Sequence, residues 1–370
     1  MKSKKSIILL LCLLLLTGCW DQHLMKNAVL VQILSYDLAD NDEFLLGVSI
    51  PIIDESSAGP QAKVKSETLS AKGHTPRDCR LKIDREVSGI LDSSKNKLIM
   101  FGERMAAEGI YPPLDVVWRD ARNSLGATLA VVDGKAVNLL AIRPKHEPNV
   151  SEYIQDALTS AEENSVIPNQ TIQTLASEML DPGEDIVLPY LKMNNKKTAV
   201  VVGLALMDEK KYSGKLSPQD SCLLLLLNNK KGKYARFTKR VNNVKKEKLR
   251  NYISLNVNNM KRKLKVHVKN GEVSVQLKLH LKVNVDEYPK GNVPKDIERL
   301  NKVLTKDLTE DAQQVITKLQ QSNCDAFGIG RRLIAFHPKT WETLDKKEYF
   351  KNVKFNTNVK VEIIKQGIVL

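Results

Sequence analysis

The sequence predicts an α+β fold with more than one domain, in which mixed and antiparallel sheets pack against helices. At 370 residues the chain is long enough for two or three domains of about 100 to 200 residues each. Apolar and polar residues alternate over 264–285 and 353–363, which indicates amphipathic strands. Between them, apolar residues recur at helical spacing over 297–319, which indicates an amphipathic helix.

The first eighteen residues have the layout of an export signal. Three lysines precede an apolar run at 7–16, and the small residues Thr17 and Gly18 follow it. The run has ten residues, whereas a membrane-spanning helix needs roughly twenty. We therefore predict that residues 1–18 form a signal peptide rather than a permanent membrane helix.

Cys19 follows these small residues directly, and Leu-Thr-Gly-Cys at 16–19 resembles the bacterial lipobox. In a lipobox the cysteine thiol receives diacylglycerol and becomes the first residue of the processed protein, where its amino group can take a further acyl chain such as palmitate. Two acyl chains, at about 0.8 kcal/mol per buried CH₂, hold a protein on a bilayer lastingly. We expect this covalent diacylglycerol, with or without the N-acyl chain, and no cofactor or metal. The alternative is a cysteine that ends an ordinary secretory signal by chance.

Residues 19–195 are predicted to form an N-terminal α+β domain, which could divide into two subdomains. Strands are expected at 28–36, 44–53, 97–103 and 126–134, with a polar loop at 54–70. Helices are expected at 75–91, 114–125, 151–160 and 171–180. The first helix begins with Thr75-Pro76-Arg77-Asp78, which supplies a capping side chain, a proline at the first helical position and an acid in the first turn.

Residues 196–370 are predicted to form a C-terminal α+β domain, with the polar stretch 193–198 as the junction. A hairpin is expected at 199–217, and "DSCLLLLL" at 220–227 is interpreted as a third, buried strand. The long hairpin at 264–285 has Asn270-Gly271 at its tip, which is typical of a type I′ turn. We expect the closing strand at 353–363 to join the sheet of this hairpin.

The positive charge is concentrated in one part of the chain. The formal net charge is +14, and residues 228–269 contain fifteen Lys and Arg residues against one acid, Glu247. Such a segment attracts nucleic acid, anionic lipid or an acidic protein surface, and for an exported, tethered chain we exclude nucleic acid. Lys245, Lys246 and Lys248 mark a possible interaction patch. A solvated loop and strand face is the alternative.

Neither the histidines nor the cysteines have the spacing of a metal site or a disulfide framework. His267 and His280 fall on the polar face of the predicted hairpin, where solvated side chains are expected. Cys79, Cys222 and Cys324 are 143 and 102 residues apart, and we predict separate buried thiols. The histidines are His23, His74, His146, His267, His280 and His337.

Two further stretches contain residues that could take part in chemistry. "GIGRRL" at 328–333 begins like a dinucleotide fingerprint but ends in Leu and follows a helix, so we interpret it as a glycine-rich helix end. Arg119, Asp120 and Arg122 form a dense charged cluster, and Glu103 follows a buried strand. The cluster is either a salt-bridge network or part of a site whose second carboxylate is not identified. Nothing in the sequence indicates an enzyme.

Several stretches, taken in order, resemble one family, the C-subunit lipoproteins of bacterial spore germinant receptors, called Ger(x)C. The resemblance spans nearly the whole chain, and the order and spacing of its short motifs make it specific. The stretches are "GCWDQHLMKNAVLVQIL" (18–34), "KLIMFGERMAAEGI" (97–110), "VVWRDARNSLGATLAVVDGKAVNLL" (116–140), "LPYLKM" (188–193), "VVGLALMDEKKYSGKLS" (201–217), "LQQSNCDAFGIGRRLIAFHPKTWETL" (319–344) and "FKNVKFNTNVKVEIIKQGIV" (350–369).

This resemblance implies a receptor of three kinds of subunit in the inner membrane of the dormant spore. The A subunit has a large soluble region and membrane helices, the B subunit is an integral, transporter-like membrane protein, and the C subunit is the lipoprotein. The receptor senses small nutrients and triggers release of ions and dipicolinate. The family has no known catalytic residues. The resemblance therefore implies a role for one residue only, Cys19, as the lipobox cysteine.

We therefore expect a non-enzymatic subunit, anchored through Cys19 on the outer face of the inner spore membrane, with the A and B subunits and membrane lipid as partners. A lipoprotein that captures the nutrient itself, like a solute-binding protein, is the main alternative. A doubly wound α/β pattern with a ligand cleft, which would favour it, is not evident in the sequence. An exported, membrane-anchored hydrolase would need an active site that the sequence does not indicate.

Overall fold

The computed structural model describes residues 28–53, 64–145, 147, 149–195, 197–245 and 247–365. These residues form an eight-stranded sheet, a four-stranded sheet and a two-stranded ladder with helices packed against them, which confirms the predicted α+β class. The first ten strands are β1 (Ala28–Leu30), β2 (Ile33–Leu38), β3 (Phe44–Ile53), β4 (Val64–Gly73), β5 (Ile90–Asp92), β6 (Leu98–Gly102), β7 (Thr128–Val132), β8 (Val187–Asn194), β9 (Thr198–Asp208) and β10 (Lys211–Leu216).

Eight of these strands form one mixed sheet. Their order is β10-β9-β8-β7-β6-β2-β3-β4, while β1 and β5 pair in a separate parallel ladder. The four central strands β8, β7, β6 and β2 run parallel, and an antiparallel hairpin extends the sheet on each side. The carboxyl ends of the parallel strands therefore lie at one edge.

Helices cover both faces of this sheet. They are α1 (Pro76–Ile83), α2 (Glu103–Glu108), α3 (Tyr111–Arg119), α4 (Val137–Leu140), α5 (Val150–Glu163) and α6 (Ile172–Leu180). One core contains α1, α2, α3 and α6, and the other contains α4 and α5. On β6, Leu98 and Met100 enter the second core, whereas Ile99 and Phe101 enter the first. Burial on both faces explains why this strand is apolar throughout instead of alternating.

The second sheet has four strands in the order β11-β12-β13-β14. The remaining elements are α7 (Pro218–Leu227), β11 (Arg236–Arg240), β12 (Tyr252–Lys269), β13 (Glu272–Glu287), α8 (Val293–Gln321), α9 (Ile329–Phe336), α10 (Pro338–Thr343) and β14 (Lys354–Lys365), with 3₁₀ turns at Lys248–Asn251 and Tyr349–Asn352. Asn270 and Gly271 both have positive φ, 52° and 79°, which confirms the predicted type I′ turn. β14 pairs with β13 in parallel, so the closing strand joins the hairpin as predicted.

The helix α8 packs against the apolar face of this sheet and also follows the free edge of β14. Its Leu300, Leu304 and Leu308 are fully buried, in the spacing that the sequence predicts. At the edge, the Thr305 side chain accepts from the Val361 amide at 3.0 Å. Asn301 and Thr309 accept in the same way from the amides of Ile363 and Val359.

The structure corrects the predicted strand at 220–227, which is the helix α7. All residues from Ser221 to Leu227 are buried, and α7 shares one continuous core with the eight-stranded sheet, the four-stranded sheet and α8. A short apolar run buried on all sides has no periodicity that would distinguish a helix from a strand. The local signal was present: Ser217 caps the amide of Asp220, and Pro218 takes the first helical position.

Four other expectations change. The helix predicted over 75–91 ends at Ile83 with Asp84 as its C-cap, and residues 90–92 form the strand β5 instead. The helix predicted over 114–125 is shifted to Tyr111–Arg119, and the polar loop is shorter because β4 begins at Val64. The stretch 193–198, interpreted as a junction, is the turn of the β8–β9 hairpin.

In the part of the chain that the structure describes, no helix is both long and apolar enough to cross a bilayer. The predicted signal peptide and Cys19 lie outside these residues.

Candidate functional site

The residues predicted for anchoring and interaction are only partly described. Cys19 and Lys246 lie outside the described residues. Lys245 and Lys248 are exposed on the segment between β11 and β12, where the side-chain amide of Asn251 donates to the Val244 carbonyl at 3.0 Å and holds the loop. Their role as an interaction patch stays a prediction.

The charged cluster around Asp120 forms surface ion pairs. Arg122 contacts Asp120 at 3.0 Å, and Arg119 contacts Asp115 at 2.7 Å. The hydrogen bond from Arg122 lowers the pKa of Asp120 to about 2. These ion pairs support the salt-bridge interpretation of the cluster. Glu103 lies in another part of the fold, at the start of α2.

Two of the stretches that carry the family resemblance, 97–110 and 116–140, meet Asp37 at the carboxyl ends of β2, β6 and β7. The Asp37 carboxylate at the end of β2 accepts from the amides of Ala136 and Val137 at 2.7 and 2.8 Å and so holds the start of α4. Gly102, at the end of β6, packs on this carboxylate so closely that a β-carbon there would collide with it. Burial raises the pKa of Asp37 despite both hydrogen bonds.

Beside these residues lies a cleft of about 470 Å³, which we call the edge cleft. It is lined by Glu103 and Tyr212, and the charge of Glu103 acts on the Tyr212 phenol. Burial, followed by the charge of Glu103, raises the pKa of Tyr212 to about 12, so the phenol keeps its proton and can act as a hydrogen-bond donor in the cleft. Open α/β sheets commonly bind ligands at the carboxyl ends of their strands.

The walls and rim of the edge cleft are mixed in polarity. Leu38, Met105 and Ala107 supply apolar surface. At the rim, Arg104 is paired with Asp42 and Lys135 with Asp40, each at 2.8 Å. The arrangement can bind a small molecule that has an apolar part and a cationic group for Glu103.

A second set of polar groups joins two distant parts of the chain. The turn at 181–185 lies against residues 323–331, and we call this contact the turn junction. Its main chains bond directly: the Asp185 amide donates to the Asp325 carbonyl at 3.1 Å, and the Arg331 amide donates to the Gly183 carbonyl at 2.9 Å. The Asp185 carboxylate in turn accepts from the Asp325 amide at 2.8 Å.

Asp325 is fully buried at the centre of the turn junction. Its carboxylate accepts from the Tyr349 hydroxyl at 2.6 Å and from the Gly330 amide at 2.8 Å. Burial is the main cause that raises the pKa of Asp325 to about 6 and that of Asp185 to about 7. These contacts give "CDAFGIGRR" a structural role, since Asp325 and Gly328 position the start of α9. The glycines therefore begin a helix rather than end one, which corrects our interpretation.

Other candidate residues have structural surroundings. His267 is exposed on β12, and His280 contacts Glu362 at 2.9 Å on the same sheet face. Cys79, Cys222 and Cys324 are buried free thiols, as predicted. Within the described ranges, no three His, Cys, Asp or Glu side chains come together in a way that could hold a metal ion.

Comparison with known proteins covers both parts of the chain. The family described as "Spore germination protein N-terminal domain" matches residues 21–193, and "Spore germination B3/ GerAC like, C-terminal" matches residues 202–367. Spore germination protein GerQC of Bacillus cereus is 23% identical over 372 residues, which is 99% of each chain. Spore germination protein KC of Bacillus subtilis strain 168 is 22% identical and covers 98% of this chain and 95% of its own length.

A solved structure has the same fold. The crystal structure of the GerBC protein matches with a TM-score of 0.59, over 90% of this chain and 96% of that one, at 16% sequence identity. The structural match and the two family matches each cover most of the chain. The chain therefore belongs to the Ger(x)C family of spore germination proteins, the C subunits of germinant receptors.

Proposed function

We propose that this protein is the lipid-anchored C subunit of a nutrient germinant receptor. It stands on the outer face of the inner spore membrane and supports germination through contacts with the A and B subunits, without a catalytic role. The observation that carries the proposal is the succession of two germination family matches, at 21–193 and 202–367. Relatives of the same length are named spore germination proteins, which supports a place in the spore.

The lipobox-like end of the signal gives the proposal its sharpest test. Cys19→Ala removes the thiol that would take diacylglycerol, so we expect the protein to leave the membrane fraction of spores and nutrient germination to slow. Membrane fractionation followed by immunoblotting measures the first effect, and loss of optical density after nutrient addition measures the second. Cys12→Ala is the matched control, since this cysteine lies inside the apolar run of the signal. A Cys19→Ala variant that stays membrane-bound and fully active contradicts the anchor.

The edge cleft favours a second candidate function, which is direct capture of the nutrient. Glu103 and Tyr212 offer a carboxylate and a hydroxyl in a partly apolar cleft, a combination that suits a small molecule with an ammonium group. This function makes the C subunit a ligand-binding subunit rather than one that acts by contact alone.

Calorimetric titration of the chain from Trp20 onward with amino acids, sugars and nucleosides separates the two functions. Capture predicts saturable heat with one nutrient class and a loss of affinity of about tenfold in Glu103→Gln, the size of one charge-assisted hydrogen bond. Glu108→Gln, an exposed glutamate on the same helix, is the control. If no nutrient class gives saturable heat, direct capture is contradicted and only the function through subunit contacts remains.

A further inference from the structure

The outer face of the four-stranded sheet carries a continuous array of lysines. On β12, alternate residues from Lys261 to Lys269 point away from α8, and β13 and β14 continue the array in register. We call this surface the lysine face. Its lysines are Lys261, Lys263, Lys265, Lys269, Lys278, Lys282, Lys354 and Lys360.

The lysine face carries eight lysines and two acids, Glu272 opposite Lys269 and Glu362 opposite Lys282, so positive charge is in clear excess. Lys263 lies directly opposite Lys278, and like charges in such cross-strand positions destabilise a sheet. Among the described residues, Lys354 forms a salt bridge with Glu272 at 2.8 Å, and none of the other seven lysines does so. The sheet therefore contains lysines whose like charges repel one another and do not stabilise the fold.

The shape and composition of the face restrict its partner. From Lys261 to Lys269 it extends about 27 Å along β12, and the three strands make it about 10 Å wide. The positions between the lysines are polar, as with Ser274, Gln276 and Asn356, and no aromatic side chain lies among these described positions. Stable protein interfaces have an apolar, often aromatic centre, and single-stranded nucleic acid stacks on aromatic rings.

We propose that the lysine face lies against an anionic lipid surface. Lysine is a compact, strongly hydrated charge, which suits diffuse attraction to lipid headgroups better than the bidentate contacts typical of arginine. Each basic residue near such a surface strengthens binding roughly fivefold at moderate ionic strength. The proposal depends only on residues of the four-stranded sheet. It can therefore be tested separately from the Cys19 anchor and from the receptor role.

The test uses the chain from Trp20 to Leu370, which contains both cores. It is sedimented with vesicles of phosphatidylcholine alone or of phosphatidylcholine with phosphatidylglycerol. We expect binding to the anionic vesicles only, weakened by added salt. The variant Lys263→Gln, Lys265→Gln, Lys278→Gln should bind them on the order of a hundredfold more weakly. Its melting temperature should not fall, because the substitutions remove a like-charge pair.

The matched control places the same change of charge on the opposite side of the sheet. Lys295, Lys302 and Lys306 are exposed on α8, and replacing all three by Gln should weaken vesicle binding far less. Equal losses in both variants would mean that net charge alone acts, and would overturn the proposal. So would failure of the unaltered chain to bind anionic vesicles at low salt. If the lysine-face variant then lost the A or B subunit during co-purification, the face would be a protein contact instead.

Discussion

Replacing Gly183 by alanine should lower the free energy of unfolding by about 3 kcal/mol, one of the two largest effects we expect from a single substitution in this protein. A β-carbon at this position would collide with the main chain of Gly330 and Arg331, and a main chain cannot turn away as a flexible side chain can. The substitution therefore separates the two sides of the turn junction and stretches the hydrogen bond from the Arg331 amide to the Gly183 carbonyl.

Urea unfolding followed by circular dichroism measures this effect, and Gly126→Ala is the control. A β-carbon at Gly126 would meet no atom closer than 3.7 Å, so we expect a change of less than about 0.5 kcal/mol there. Proteolysis of the Gly183→Ala variant should also begin within 323–331, since these residues lose their contact with the turn. Equal stability of the two alanine variants would contradict the tight contact at Gly183.

Asp325→Ala should lower the free energy of unfolding by about 4 kcal/mol. The buried hydroxyl of Tyr349 and the amide of Gly330 both lose their acceptor, and each buried donor left unpaired costs roughly 1 to 3 kcal/mol. Asp325→Asn keeps one acceptor oxygen and should lose about half as much. If the two variants lose the same amount, the carboxylate's hydrogen bonds do not stabilise the junction.

The pH dependence of stability follows from the same carboxylates. The folded pKa values of Asp325 and Asp185, about 6 and about 7, lie above the value of about 3.9 for an unfolded aspartate. The folded state then binds more protons than the unfolded state between about pH 4 and pH 7, so stability should fall as the pH rises through this window. Urea unfolding at pH 5 and pH 8 should show this decrease, and Asp325→Asn, which cannot ionise, should reduce it. Stability that rises from pH 5 to pH 8 would contradict burial as the dominant influence on these two carboxylates.

Local patterns were sufficient for the elements that follow their own periodicity. Asn270-Gly271 fixes the tip of the hairpin, and alternation over 264–285 and 353–363 predicts three of the four strands of its sheet. The helix α7 was missed because a run of leucines buried on every side has no periodicity. Ser217 and Pro218 repeat the start signal that Thr75 and Pro76 give for α1, and this signal would have identified the helix.

The candidate sites could not be predicted in the same way, because their residues are brought together only by the fold. Asp185 and Asp325 are 140 positions apart, and the sequence near each shows an acid in a turn without indicating a partner. Glu103 was noticed as an acid after a buried strand, but its position in one cleft with Tyr212 depends on the spatial order of the strands in the sheet. The lysine face could be identified only from the strand register, which places Lys263 opposite Lys278.

The side chains that α8 presents to β14 have a geometric consequence for association. Asn301, Thr305 and Thr309 are spaced four residues apart, about 6 Å along a helix, and the amides they bind are two residues apart, about 6.7 Å along a strand. This near match lets a helix satisfy consecutive outward amides in place of another strand. Along that stretch the outward amides of β14 are already bonded to α8 and cannot pair with a strand of a second chain. Aggregation by strand addition must therefore begin elsewhere on the molecule.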